Sequence, residues 1–294
     1  MKKDIFKIMS PGGQFSFLLL FFFFGMLFSA IATILLLSAA GTKDIFALSV
    51  NTLKWMQTIQ TFIMFLLPAL LCAYLFQENG KDYLTLSRAG KPIHLMLAFL
   101  IMICIQPFIN WLGYYNQQLT LPETMSGLET AIRTSEDSAN RLTALFLSDN
   151  SPVGFASALL VVGLIAAVCE EIFFRGTLQQ ILTKLCGNTH AAIWITAIIF
   201  STIHFQFYGF IPRMLLGALL GYIFVWSGSL WVSILAHFIN NASAIILHYL
   251  YNGTPMYDKL QKIGTEQYIS YTVYGSVLTL FFIFLFFRTR KKAG

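Results

Sequence analysis

The sequence predicts an all-α fold, a polytopic membrane helix bundle with about eight transmembrane helices. Three observations carry that expectation. The 294 residues are 57% hydrophobic and only 11% charged, with 29 phenylalanines, whereas a soluble domain is roughly 45–50% apolar and about 25% charged. Apolar runs near the roughly 20 residues that a helix needs to cross a bilayer recur eight times along the chain. Basic residues gather at the chain ends and in the short connections between those runs, as the positive-inside rule produces.

The first run, 15–40, follows Lys2, Lys3 and Lys7 and so resembles a signal peptide. At about 26 residues it far exceeds the roughly 7–15 of a signal-peptide core, so it reads as a retained first span. The next runs are 55–76 and 93–113. A polar stretch, 114–150, then carries Glu123, Glu129, Glu136, Asp137 and Asp149. Its apolar residues Leu128, Ile132, Leu142, Leu145 and Phe146 predict one or two short amphipathic helices at the membrane surface. Two readings fit this stretch, a solvated connector and a gate or lid over an intramembrane site. It is too small to form a core of its own. The fourth run, 153–173, continues as helix to about Leu185. The fifth, 190–206, is short, and 209–226, 229–250 and 268–287 complete the set.

These runs divide the chain into N-terminal helices with the polar loop (1–150, loop 114–150), a helical core (151–250), and a final span with a basic tail (251–294). No period of 20–50 residues recurs, which excludes a solenoid. With eight spans both termini share a side. That side holds twelve Lys and Arg residues, Arg175 among them, against seven opposite, including Lys54 and Arg213. The bias predicts an integral multi-pass protein with both ends cytoplasmic, and the compact size and Phe-rich first span point to a bacterial inner membrane. The net charge of +6 follows from that bias and does not predict a nucleic-acid partner; the expected partners are the lipid bilayer and a peptide or membrane-protein substrate. Cys72, Cys104, Cys169 and Cys186 show no CxxC spacing and read as reduced packing residues.

Against this background one placement is anomalous. Of thirteen acidic residues only Glu170 and Glu171 fall inside a predicted span, and a carboxylate in hydrocarbon is costly unless it is protonated, paired or facing water. Arg175 lies four residues after Glu171, so the two share a helix face and can pair. Glu170 points about 100° away and is left for another task. One acid tied down beside one left free suits a general base beside its anchor. Two further polar insertions follow on separate spans, Phe200-Ser-Thr-Ile-His204 and His237-Phe-Ile-Asn-Asn241. His204 shares a face with Phe200, and His237 shares one with Asn241, while Asn240 points elsewhere. Small residues at Gly217, Ala218, Gly221, Ala236 and Ala242 allow close helix approach. His94, His190 and His248 read as structural hydrogen-bond formers at or near span ends.

The motifs Glu170-Glu171-x-x-x-Arg175, Phe200-x-x-x-His204 and His237-x-x-x-Asn241 resemble, in order and spacing, those of the CPBP family of intramembrane proteases. That family contains the CAAX prenyl endopeptidases and the bacterial Abi, or bacteriocin-immunity, proteins. The likeness covers about 150–250; the first 150 residues share only their membrane helices. The resemblance implies an intramembrane endopeptidase in which Glu170 activates water and His204 helps hold it. It implies that His237 and Asn241 stabilise the oxyanion, with Glu171, Arg175 and Phe200 in support. The family is commonly labelled metalloprotease, and Glu170, His204 and His237 could hold zinc with an open water position. The HExxH helix of ordinary zinc peptidases is absent, and a glutamate mechanism needing no cofactor explains Asn241 and the anchored Glu171 equally well.

Other proteolytic chemistries lack their residues. No GxSG segment occurs, and all six aspartates (Asp4, Asp44, Asp82, Asp137, Asp149 and Asp258) lie outside the spans. Two different functions compete with a protease. A non-catalytic scaffold or bacteriocin-immunity protein would not need the whole motif set. A proton-coupled transporter would predict repeated halves or broken helices in matching positions, and neither is evident.

Overall fold

Serine, asparagine and proline fix where most of the helices begin. A side-chain oxygen at the position before a helix satisfies its first free N–H groups, and proline is tolerated at the first turn because its missing N–H has no partner there. Ser10 caps Gly13 ahead of Pro11, Ser49 caps Thr52, and Ser151 caps Gly154 ahead of Pro152. Asn188 caps His190 and Ala191.

The computed structural model describes residues 6–290, and every regular element among them is helical. In chain order the longer helices are α1 (Pro11–Ala39), α2 (Val50–Phe76), α3 (Pro92–Cys104), α4 (Gln106–Gln117), α5 (Ser126–Phe146), α6 (Pro152–Cys186), α7 (Thr189–Thr202), α8 (Phe210–Ser227), α9 (Leu230–Tyr251), α10 (Pro255–Gln261) and α11 (Ile269–Thr289). Six helical stretches, those of α1, α2, α6, α8, α9 and α11, are long and apolar enough to cross a membrane. The pair α3/α4, bent by 41° at its junction, makes a seventh. The short apolar α7 accounts for the eighth expected span.

The differences from the sequence reading are local. The expected span 93–113 is two helices, broken where Pro107 removes a backbone donor and clashes with the preceding turn. The stretch 114–150 holds one amphipathic helix of 21 residues, α5, rather than one or two short ones. Helix α6 runs to Cys186, as expected from the continuation past 173. Arg175, Lys54 and Arg213 are not loop charges: Arg175 is fully buried, Lys54 is buried with its Nζ on Ser157 Oγ at 2.7 Å, and Arg213 is partly buried and lines a cavity between the helices. Of the remaining basic residues, Lys2, Lys3, Lys291 and Lys292 lie outside the described residues.

Two apolar cores hold the bundle. One joins α1 and α2 to α6 and α7 through Leu18, Phe76, Ile172, Phe173, Phe174 and Phe200. The other joins α3, α8, α9 and α11 through Ile101, Met102, Ile223, Val232, Ala236 and Phe286. Contacts also sort the connections into two ends. Lys7 pairs with Glu78 at 2.7 Å, Ser229 Oγ donates to the Arg88 carbonyl, and His94 Nε2 donates to the Thr289 carbonyl at 3.0 Å. Both ends of the described chain therefore share one end of the bundle. At the opposite end Arg141 lies 4.0 Å over the Phe46 ring, tying α5 to the connection between α1 and α2.

Candidate active site

In α6 the stretch Ala166–Phe173 is regular α-helix between two wider π-helical stretches, Leu159–Ile165 and Phe174–Leu178. Interruptions of this kind are frequent at functional sites, because they re-aim side chains without ending the helix. Glu170 and Glu171 sit on the regular stretch and point apart.

Glu171 is fully buried. Its Oε1 accepts from Arg175 Nη1 at 2.6 Å and from His237 Nδ1 at 2.9 Å, and its Oε2 accepts from Ser233 Oγ. Arg175 is buried too; its Nη2 donates to the Gly217 carbonyl at 2.9 Å, and its guanidinium lies 4.9 Å over the Phe200 ring. A Cβ at Gly217 would stand 3.2 Å from Phe200, so glycine is what lets α8 come close enough to offer that carbonyl. One ion pair thus fastens α6, α7, α8 and α9 together.

Glu170 has the opposite surroundings. Its side chain keeps 13% exposure and lines a cavity of about 570 Å³ shared with Phe200, His204, His237 and Asn241. His237 Nε2 stands 3.9 Å from Glu170 Oε2. That is too long for a hydrogen bond, yet one water about 2.8 Å from each atom would span it. With Nδ1 placed to donate to Glu171, the neutral ring offers Nε2 as an acceptor, and protonation converts it into a donor.

His204 follows the end of α7. Its Nδ1 donates to the Phe200 carbonyl at 2.7 Å, which leaves Nε2 for the cavity. The chain then turns away through Phe205 in the left-handed region, φ 52°. Asn241 Nδ2 donates to the Val162 carbonyl and its Oδ1 accepts from Asn240 Nδ2, both at 3.2 Å; Asn240 Oδ1 in turn accepts from Gln106 Nε2 at 3.2 Å. One Nδ2 hydrogen of Asn241 is left over.

The cavity is roofed from outside the bundle core by α5, through Ala139, Leu142, Thr143 and Phe146. Ser135 Oγ donates to the Phe205 carbonyl and Glu136 Oε2 accepts from the Tyr208 N–H, both at 3.2 Å, while Arg133 lies 4.5 Å over the Tyr208 ring. Helix α5 is therefore docked on the loop that carries His204, not simply a free connector.

The structure brings together all seven residues singled out by sequence. Glu170, Phe200, His204, His237 and Asn241 face the cavity, with Glu171 and Arg175 behind them. Glu171 does more than expected, since it also holds His237. Sequence reasoning missed Ser233, Gln106 and Arg213. Arg213 had a signal: it is a charge inside the predicted span 209–226. His94, His190 and His248 each have a structural partner, the Thr289 carbonyl and the hydroxyls of Tyr222 and Tyr257. Zinc needs donors within about 2.0–2.2 Å of one ion, and among the described residues no three His, Cys, Asp or Glu are gathered at metal-holding spacing. As arranged, Glu170, His204 and His237 do not fit that ligand set.

Comparison with known proteins falls on the same part of the chain. Residues 152–243, which hold every motif residue, match the family described as type II CAAX prenyl endopeptidase Rce1-like. That segment is similar to the Rce1-like family. The chain is also 34% identical over 88 residues to a Bacillus subtilis (strain 168) protein named "Uncharacterized protein YpbD", covering 29% of this chain and 42% of that protein. The match thus spans less than half of the relative's length. No solved structure matches the chain. The matched segment comprises α6 to most of α9, which supply most of the cavity walls; Gln57 of α2, Met102 of α3 and the α5 roof line the cavity from outside it.

Proposed function

We propose that this protein is an intramembrane endopeptidase of the CAAX-protease type that cleaves a peptide or membrane-protein substrate with a water activated by Glu170. The observation that carries the reading is the division between the adjacent acids. Glu171 spends its oxygens on Arg175, Ser233 and His237, while Glu170 faces the cavity with no direct partner at hydrogen-bond distance among the described residues. A base must be free to accept a proton, and a buried structural acid must not be.

In this reading a water donates its two hydrogens to Glu170 and to His204 Nε2, which turns a lone pair towards the peptide carbonyl. Glu170 takes the proton as the new C–O bond forms. The remaining Nδ2 hydrogen of Asn241, with the His237 ring beside it, stabilises the oxyanion, a task that fixed polar groups perform well away from bulk water. Collapse of the tetrahedral intermediate breaks the C–N bond, and Glu170 returns the proton to the departing amine. The residues balance the reaction without a metal. The helices support residence in a membrane; we place it in a bacterial inner membrane with both ends cytoplasmic, so that the α5 roof faces the outside.

The test is cleavage of quenched, membrane-anchored peptides by the detergent-purified protein. Removing a general base costs about 10²–10⁴ in rate, so Glu170→Gln is expected to lose at least that much, and His204→Ala to lose a comparable part. Wild-type protein that cleaves nothing across a diverse panel, or variants that match it, would sink the reading. Activity abolished by thorough chelation and restored by zinc would replace the metal-free version with a metal-bound one.

A further inference from the structure

The cavity contains a cation that the reaction above does not use. Arg213, in the first turns of α8 (Phe210–Ser227), lines the same space as Glu170, His204 and Asn241. Its Nη2 donates to Gln206 Oε1 at 2.6 Å. Its Nη1 is buried with no hydrogen-bond partner, and the guanidinium makes no ion pair among the described residues. Arg175 also leaves its Nε without a hydrogen-bond partner, but its charge is met by Glu171 at 2.6 Å and its Nη2 by a backbone carbonyl; Arg213 has no such anion beside it among the described residues. A buried donor on a charged group is expensive to leave unsatisfied. Arg213 is therefore held towards the cavity by a neutral amide on one side and left open on the other.

The backbone has made room for this arrangement. A Cβ at Gly209 would lie 2.9 Å from Arg213 Nη2, so a larger residue there would push the guanidinium aside. Of the carboxylates whose charge reaches Arg213, Glu136 and Glu170, the first is engaged by the Tyr208 N–H and the second faces the water site. Neither quenches the open N–H.

We infer that Arg213 is a specificity-determining residue that receives a carboxylate of the substrate, an inference that rests on the peptidase reading. Guanidinium and carboxylate form short, charge-assisted hydrogen bonds that a neutral isostere cannot replace. A peptide substrate can supply this group in two ways, as the free C-terminus of the chain or as an Asp or Glu side chain close to the cleaved bond.

Matched membrane-anchored peptides separate these sources: one ending in a free acid, the same peptide amidated, and an amidated pair differing by Asp or Asn near the cleaved bond. For a C-terminal carboxylate, amidation raises KM at least tenfold in the wild type while kcat changes little. For a side-chain carboxylate, the Asp-to-Asn change does so instead. Arg213→Gln abolishes whichever preference is present, Arg213→Lys keeps part of it, and Gly209→Ala weakens it with all charges retained. The inference fails if the wild type cleaves all four peptides equally, or if Arg213→Gln lowers every peptide by one common factor, as loss of an oxyanion donor would. No cleavage of any peptide by the wild type overturns the peptidase reading and this one with it. Should Arg213→Gln fail to fold, as read by thermal unfolding in detergent, the wild-type comparison of acid against amide and Asp against Asn decides alone.

Discussion

Glu170 and Glu171 are neighbours in sequence with opposite environments, and their substitutions should separate accordingly. Breaking a buried ion pair by removing one partner costs about 3–5 kcal/mol, because the other charge is left uncompensated. Arg175→Ala is therefore expected to unfold at markedly lower temperature in detergent, with Glu171→Gln destabilised in the same direction. Glu170→Gln should keep the wild-type melting temperature while losing cleavage. A melting temperature for Arg175→Ala equal to wild type would remove the anchor role. The anchor was legible in the sequence because i and i+4 positions meet on any helix, and the pair indeed lies 2.6 Å apart. His237 as a partner of Glu171 was not legible, since it depends on how α9 packs against α6, 66 positions apart. Arg213 was misjudged for a related reason. Near a span boundary a basic residue looks like a loop charge, and only the inward turn of α8 places it in the cavity.

At the level of elements, composition located the helices, and local backbone chemistry decided where they break. Pro107 bends the third span, and the turn through Phe205 ends α7 early. The π-helical stretches of α6 leave no sequence signature, because each only widens a few hydrogen bonds in a continuous apolar run. Helix α5 shows what periodicity could and could not supply. Its apolar positions announced an amphipathic helix, but of those singled out only Leu142 and Phe146 reach the cavity wall. The start of α5 carries its own pH dependence. Arg133, donating to Glu129 at 2.7 Å, and the Leu121 N–H hold the Glu129 carboxyl below the ordinary carboxylate range. A group with a depressed folded pKa stabilises at pH above its unfolded value, and the contribution is lost as pH falls through the folded value. Hydrogen-exchange protection over 121–133, corrected for intrinsic rates, should therefore hold near neutrality and fall off below about pH 4.5, the ordinary carboxylate value. Glu129→Gln should remove that pH step; a step unchanged by the substitution would assign it to another group.

For the whole molecule, the number of membrane-depth helices and the shared side of the chain ends were readable from hydropathy and charge. The position of the cavity between the two cores was not, because it arises from which helices meet. The proposed orientation makes an accessibility prediction. Cys186 is exposed and lies at the end of α6 on the side of the termini. In intact spheroplasts an impermeant maleimide should leave Cys186 unlabelled until the membrane is opened, and should label a Ser126→Cys variant at once. The reverse pattern would invert the protein. The Glu171–Arg175 pair also bears on how this bundle is made. Both charges belong to one helix, four residues apart, so they meet as soon as that helix coils, before any neighbour is present. The segment can then leave the translocation machinery with these two charges already compensated. Had the partners been on different helices, each would have had to wait bare in lipid, at a cost of about 2.5–3.5 kcal/mol apiece, until the bundle closed. The fastening that later joins four helices begins as a condition for one of them to enter the bilayer.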